Sequence, residues 1–226
     1  MSLDKLDTEN QRELVHPVLL VGEGKADVSF LIQLMRHRGL PDLHFGFPTD
    51  ATGGFGFPGL GKFLSTLPAR TGFSNLKALV VIYDNDSDPN RAFNDLVELV
   101  DPTDSYEVPA TPMQLADANG DRVRLMFVPM PGVGVTGALE TLLLQSSSGN
   151  AAPLACVEAF AICGACTDWA PSHQAKMKLR SLIAISCEGN SDMTLTHIWG
   201  KPGNPINLAD TCFDALVASI AAVVAA

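Results

Sequence analysis

The stretch Ala78-Leu79-Val80-Val81-Ile82-Tyr83-Asp84-Asn85-Asp86-Ser87-Asp88-Pro89 constrains the chain most. A short unbroken run of branched apolar residues predicts a strand buried on both faces, as in a parallel sheet covered by helices. The run stops abruptly in three carboxylates at alternate positions. Side chains two apart in an extended chain point the same way, so an extended backbone past Tyr83 projects Asp84 and Asp86 together. Open parallel sheets place ligands at the carboxyl ends of their strands. Paired carboxylates repel unless a cation lies between them, and Mg²⁺ is the natural hard cation for oxygen donors. The other reading is an acidic loop that caps the next helix, with Asp88 as N-cap and Pro89 at the first helical position.

Pro17-Val18-Leu19-Leu20-Val21-Gly22-Glu23-Gly24-Lys25-Ala26-Asp27 repeats the pattern: an apolar run, then a turn with Glu23 between two glycines. Glycine permits the sharp turn and leaves the glutamate at its tip. An amphipathic helix follows, with Val28, Leu31, Leu34 and Met35 on one face and Gly39 and Pro41 beyond its end. Asp27 reads as its N-cap. Two strands ending in acids can set Glu23 beside the aspartates. Lys25 either holds a phosphate or faces solvent.

A glutamate in a Gly-Glu-Gly-Lys-x-Asp turn, followed by Asp-x-Asp after a later strand, resembles a Toprim domain, the domain of topoisomerases, primases and OLD-family nucleases. The closer resemblance is to a small family of Toprim-like, OLD-related proteins. Their Gly-Gly segment is matched by Gly53-Gly54. Their Pro-Gly-x-Leu-Glu-like segment is approximated by Val135 to Glu140, and their C-terminal lysine-bearing helix by Lys176 and Lys178. Gly22 departs from the pattern, which bears on how the turn holds the glutamate. The resemblance implies an α/β fold with a mostly parallel central sheet flanked by helices, Toprim-like and Rossmann-like in layering. It implies Mg²⁺ or Mn²⁺ as cofactor, with Asp84, Asp86, Glu23 and Glu140 as metal ligands. Glu23 and Lys25 take catalytic roles, Glu23 as a ligand or general acid/base. Lys25 and Lys62 contact phosphate. Without the resemblance, Glu140 is explained by a favourable contact with the start of its helix. Lys176, Lys178 and Arg180 read as a solvated helix face.

Charge limits the partner. The chain carries 25 acidic and 15 basic residues among 226, a net charge of −10. Tight autonomous grip on duplex DNA needs a basic face, because phosphate neutralisation supplies most of that affinity. The expected partner is therefore nucleic acid or a nucleotide, held weakly and in a salt-sensitive way, and no membrane. Two functions remain: Mg²⁺-dependent phosphodiester chemistry of the OLD-nuclease kind, or a non-catalytic Toprim-like module that binds a nucleotide or a partner protein.

The remaining segments set the architecture. Strand signals fall at 17–22, 43–47, 77–83 and 122–129, and helical patterns at 26–38, 58–67, 89–100 and 136–147. From about 150 the chain reads helical, over 153–168, 172–186 and 208–225, a helical C-terminal addition to one domain spanning 17–226. Residues 1–16 read as a flexible segment, and 101–121 as a loop or short edge hairpin. Gly56 through Lys62 matches the first part of a P-loop, but Phe63 stands where Ser or Thr is required. The better reading is a flexible loop feeding a helix. Five cysteines and no secretion signal suggest reduced thiols and a cytoplasmic protein. Cys163 and Cys166 have metal-site spacing, and Cys187, His173 and His197 could complete four ligands. Otherwise 154–169 reads as a buried helix. The apolar run 213–226 is shorter than the roughly 20 residues that span a bilayer and predicts a packed helix.

Overall fold

The computed structural model describes residues 12–50, 54, 56–100, 104–147, 149–188, 190 and 192–226. Gly53, Phe55 and residues 1–11 of the expected flexible segment lie outside the described residues.

Five parallel strands form one sheet: β1 (Val18–Val21), β2 (His44–Gly46), β3 (Ala78–Asp84), β4 (Tyr106–Glu107) and β5 (Val123–Met130). Their spatial order is β2-β1-β3-β5-β4. Seven helices accompany them among the described residues: α1 (Lys25–His37), α2 (Gly56–Thr66), α3 (Pro89–Val100), α4 (Leu139–Gln145), α5 (Ala151–Cys163), α6 (Pro171–Ser186) and α7 (Asp214–Ala225). The fold is the α/β class that the alternating pattern predicts.

The two-residue period of the strands splits the core into two layers. Val18, Leu20, Ala78, Val80, Ile82, Met126 and Val128 point to one face, where residues of α1, α4, α6 and α7 cover them. Leu19, Val21, Leu79, Val81, Tyr83, Leu125 and Phe127 point to the other, under α2 and α3. The helices after β1 and β3 thus lie on opposite faces, while the two strands are neighbours. Chains leaving adjacent strands in opposite directions open a crevice between their carboxyl ends.

The C-terminal helices extend the first layer. Leu216, Ile220 and Val223 of α7 are buried there, as a packed helix requires. Arg38, just past α1, donates to the Leu208 and Asp210 carbonyls and pairs with Asp214 at 3.1 Å. Trp199 donates its indole N–H to Ser29 Oγ at 2.8 Å, tying the segment after α6 to α1. Among the described residues no helix is long and apolar enough to cross a membrane.

Three expectations need correction. Residues 56–62 lie inside α2, so they are not a loop and cannot cradle phosphate as a P-loop does. In α5 only Val157 and Ala161 are buried, and Phe160 and Ile162 are exposed. Apart from Glu158 this helix is apolar all round, so its sequence gives no polar face to mark the solvent side. In 101–121, β4 pairs in parallel with the start of β5, and Leu115 bridges Met126 in antiparallel fashion. That segment is an edge made of two separate short pairings.

Candidate functional site

The acids gather where the topology opens the crevice. β1 ends at Val21, and Gly22 donates its N–H to the Gly46 carbonyl. A Cβ at Gly22 would stand 2.7 Å from Asp27 Cβ, so the residue before the glutamate must be small for Asp27 to fold back. Asp27 is not the N-cap. Gly24 holds that position in extended backbone, and Asp27 reaches back from the first turn to accept the Gly24 N–H at 2.8 Å. Glu23 crosses to the neighbouring strand, where its Oε1 accepts the Asp84 N–H at 3.0 Å.

Asp84 is the last residue of β3 and joins three elements. Its Oδ1 accepts the Leu139 N–H at the start of α4 at 2.9 Å. Its Oδ2 takes the Lys176 ammonium of α6 at 3.1 Å. Glu140 follows Leu139 in the first turn of α4, within electrostatic reach of Asp84 and Lys176. Sequence reasoning gave Lys176 as a solvated face; it is half-exposed and paired. Lys178, two residues on, pairs with Glu158 at 2.8 Å and belongs to the contact between α5 and α6.

Burial and mutual repulsion raise these acids. Glu23 is pushed up to about 8, first by burial and then by the Asp84 charge. Asp27 is raised well above its ordinary value by burial, with Asp84, Glu23 and Glu140 adding to it. Asp84 and Glu140 are raised too, burial dominating, although Lys176 opposes the shift in both. Lys176 loses to burial and gains more from Asp84, Glu140 and Asp86, so its ammonium is held more firmly than usual. Removing solvent disfavours charge, and neighbouring carboxylates disfavour it again.

Asp86 does not share Asp84's direction. The backbone leaves extended geometry after Asp84, and Asp86 has φ +48° and is exposed. It exchanges both backbone hydrogen bonds with Gly137 at 2.7 Å. Its charge still adds to the shifts of Glu23 and Asp84. Gly137 is held at φ +129°, where a side chain would be strained and would meet Thr141. Asn85, between the two aspartates, is buried and donates to the Gly132 and Val135 carbonyls at 2.8 Å each. It locks the loop after β5 onto the end of β3, a role with no sequence signal. Asp88 caps α3 as expected, accepting the Arg91 N–H at 3.1 Å.

A cleft of about 240 Å³ opens beside these residues, lined by Asp84, Asn85, Asp86, Asp88, Arg91 and Phe57. Phe57 rests edge-on against Tyr83 with ring centroids 6.5 Å apart. Tyr83 points away from Asp84 into the second core layer, as strand alternation predicts. Lys25 opens α1, with its ammonium 5.7 Å from the Phe47 ring centroid. Lys62 is exposed in the middle of α2. The α2 start touches the site, Gly56 donating to the Glu23 carbonyl at 3.3 Å. Lys62 lies six residues further, roughly 9 Å along the axis at 1.5 Å per residue.

The donor set suits a hard cation: every candidate ligand is a carboxylate. Among the described residues, no three His, Cys, Asp or Glu side chains are drawn together tightly enough to hold a metal as they stand, at the acids or at Cys163 and Cys166. At Asp84 the partner is Lys176.

The chain belongs to the family described as "Protein of unknown function (DUF3226)", which matches residues 17–199. That match runs from before β1 to Trp199 and takes in Glu23, Asp84, Glu140 and Lys176. No curated protein and no solved structure matches the chain.

Proposed function

We propose that this member of a family of unknown function carries out divalent-cation-dependent phosphodiester hydrolysis on nucleic acid or a nucleotide, at the carboxyl edge of β1 and β3. The observation that carries the reading is the gathering of Glu23, Asp27, Asp84 and Glu140 at the topological crevice, their charge opposed by Lys176. Burying that many carboxylates lowers stability unless something is gained. Perturbed acids concentrated in a crevice are the mark of a working site. The likeness of Glu23 and Asp84-x-Asp86 to a Toprim pattern supports the same reading.

Asp84, Glu23, Glu140 and the nearby Asp86 would hold Mg²⁺ or Mn²⁺. When bound, the cation polarises a phosphoryl oxygen and offsets the repulsion among the acids. Glu23, raised to about 8, keeps its proton near neutral pH while no cation is bound; it either gives that proton up to become a ligand or stays out of the coordination shell and does general acid/base work. Lys176 holds Asp84 in place and can turn its ammonium to a phosphate oxygen as charge develops. Lys25 at the start of α1 is a further cation near the turn that carries Glu23. Lys62 is removed from this group.

One observation favours the alternative, a non-catalytic module that binds a nucleotide or a protein partner. The Lys176–Asp84 ion pair already neutralises part of the cluster. Cleavage of end-labelled single-stranded DNA, RNA and nicked plasmid at low salt with Mn²⁺ separates the two. Hydrolysis lost in Asp84→Asn and Glu23→Gln supports the enzyme. Nucleotide binding with no turnover supports the module.

A further inference from the structure

Helix α5 carries two apolar seams, one packed against α6 and one facing solvent. Its buried residues are Val157 and Ala161. Glu158 pairs with Lys178 of α6 at 2.8 Å and fastens that side. At about 3.6 residues per turn, Ala152, Cys156, Ala159 and Cys163 fall on the far side of the helix. All four are exposed. Their spacing of four, three and four residues is that of the core positions in a helix that pairs with another helix. Ala155 and Ile162 flank this seam on one side and Phe160 on the other, with Ile162 69% and Phe160 52% exposed. Paired helices often carry Glu or Lys at such flanking positions; here the apolar face widens instead.

Charge selects what can lie on this face. The chain has a net charge of −10, yet from Ala151 to Thr167 its only charged residue is Glu158, which Lys178 neutralises. A strongly basic or acidic partner finds nothing there to recognise. Two copies of this chain repel one another over most of their surface, and a neutral apolar face is where they can meet without burying like charges. The pattern is also self-complementary. Identical seams of this spacing interlock across a two-fold axis, where the same patch serves both partners. Four small side chains let the helix axes approach to about 8 Å, so Phe160 and Ile162 of each copy reach the helix of the other.

We propose that α5 is a dimerisation helix, with its Ala152, Cys156, Ala159 and Cys163 seam packed against the same seam of a second copy of this chain. The helix has 13 residues and is roughly 20 Å long. A contact built on it is small beside the roughly 2,000 Å² or more of obligate dimers, so the dimer is reversible and depends on protein concentration.

Sedimentation velocity of the full chain from about 2 to about 200 µM tests this. The wild type should pass from monomer to dimer over that range, and added NaCl should tighten the dimer by screening the repulsion between acidic copies. Ala159→Glu and Phe160→Glu alter exposed positions, so each variant should keep the wild-type circular-dichroism spectrum while weakening the dimer about tenfold or more. A second measurement needs no variant. Maleimide labelling, read by peptide mass spectrometry, should modify the exposed Cys156 and Cys163 quickly in dilute protein and several-fold more slowly once the dimer forms. A wild type that stays monomeric throughout overturns the proposal. So does a dimer whose Cys156 and Cys163 label at an undiminished rate, or one that a folded Ala159→Glu variant forms as tightly as the wild type.

Discussion

Glu23 Oε1 accepts the backbone N–H of Asp84 at 3.0 Å, so the acid that follows β1 is anchored to the end of β3. Asp84 is in turn oriented by Leu139 and Lys176. Four segments distant in sequence are thus joined through two carboxylates.

Stability should fall as pH rises from 4.5 to 8 when no divalent cation is present. Glu23 is raised from 4.5 to about 8 in the fold. A raised folded value means stability is fully present below the unfolded value and is lost as pH climbs through the folded one. Asp27, Asp84 and Glu140 are shifted in the same direction. Each unit is worth about 1.4 kcal/mol, so the Glu23 shift alone corresponds to a decline on the order of 5 kcal/mol across this window. Glu23→Gln should flatten this slope and stabilise the protein at pH 8. Urea denaturation at pH 5, 6.5 and 8 measures it; a wild type whose stability rises over this window contradicts it.

Lys176→Met should destabilise the cation-free protein, because it leaves Asp84 and Glu140 without their nearest positive charge. The Lys176 side chain is 38% exposed and solvent screens part of the effect, so about 1–2 kcal/mol is expected. Mn²⁺ should recover most of that loss in a thermal melt, since a cation can take over the same neutralisation. A melting temperature equal to the wild type in EDTA would show that the ion pair does not hold the site together.

Asn85→Ala should cost about 1–3 kcal/mol, because it removes a buried amide and the two hydrogen bonds it donates to the Gly132 and Val135 carbonyls. Asn85→Asp should be worse, since a carboxylate cannot donate to either. Because this amide holds the loop after β5 against β3, faster proteolysis should accompany the loss. Equilibrium unfolding and limited digestion report both, and an Asp variant as stable as wild type refutes the assignment.

Gly22→Ala should destabilise the turn, since a methyl group there meets Asp27 Cβ at 2.7 Å. Relief requires Asp27 to release the Gly24 N–H, at about 1–3 kcal/mol. The double variant Gly22→Ala, Asp27→Gly removes the opposing Cβ and should recover part of that loss, and strictly additive effects would disprove the contact.

The strands and the Glu23–Asp84 pair were legible because each rests on local pattern: an apolar run of strand length, then an acid. Asp86 was misplaced because the two-residue rule holds only while the chain stays extended, and the backbone turns left-handed there to bridge Gly137. That partner lies far along the chain, beyond any window of periodicity. Lys176 looked solvated for a related reason. Its face of α6 is fixed by where α4 ends up, and a single cation on a helix carries no mark of the acid it will meet. The Gly56–Lys62 match failed because glycines and prolines do not forbid a helix whose Leu60, Phe63 and Leu64 have a core to enter.

A calorimetric titration of the metal-free protein with Mn²⁺ at pH 7, in two buffers of different ionisation enthalpy, tests most directly whether the acids form a cation site. Glu23, raised to about 8, is largely protonated at this pH and must lose its proton for a cation to bind. The account predicts saturable binding with proton release in the wild type, release reduced in Glu23→Gln, and binding lost in Asp84→Asn. Absence of saturable heat in the wild type, or equal binding by Asp84→Asn, would contradict it.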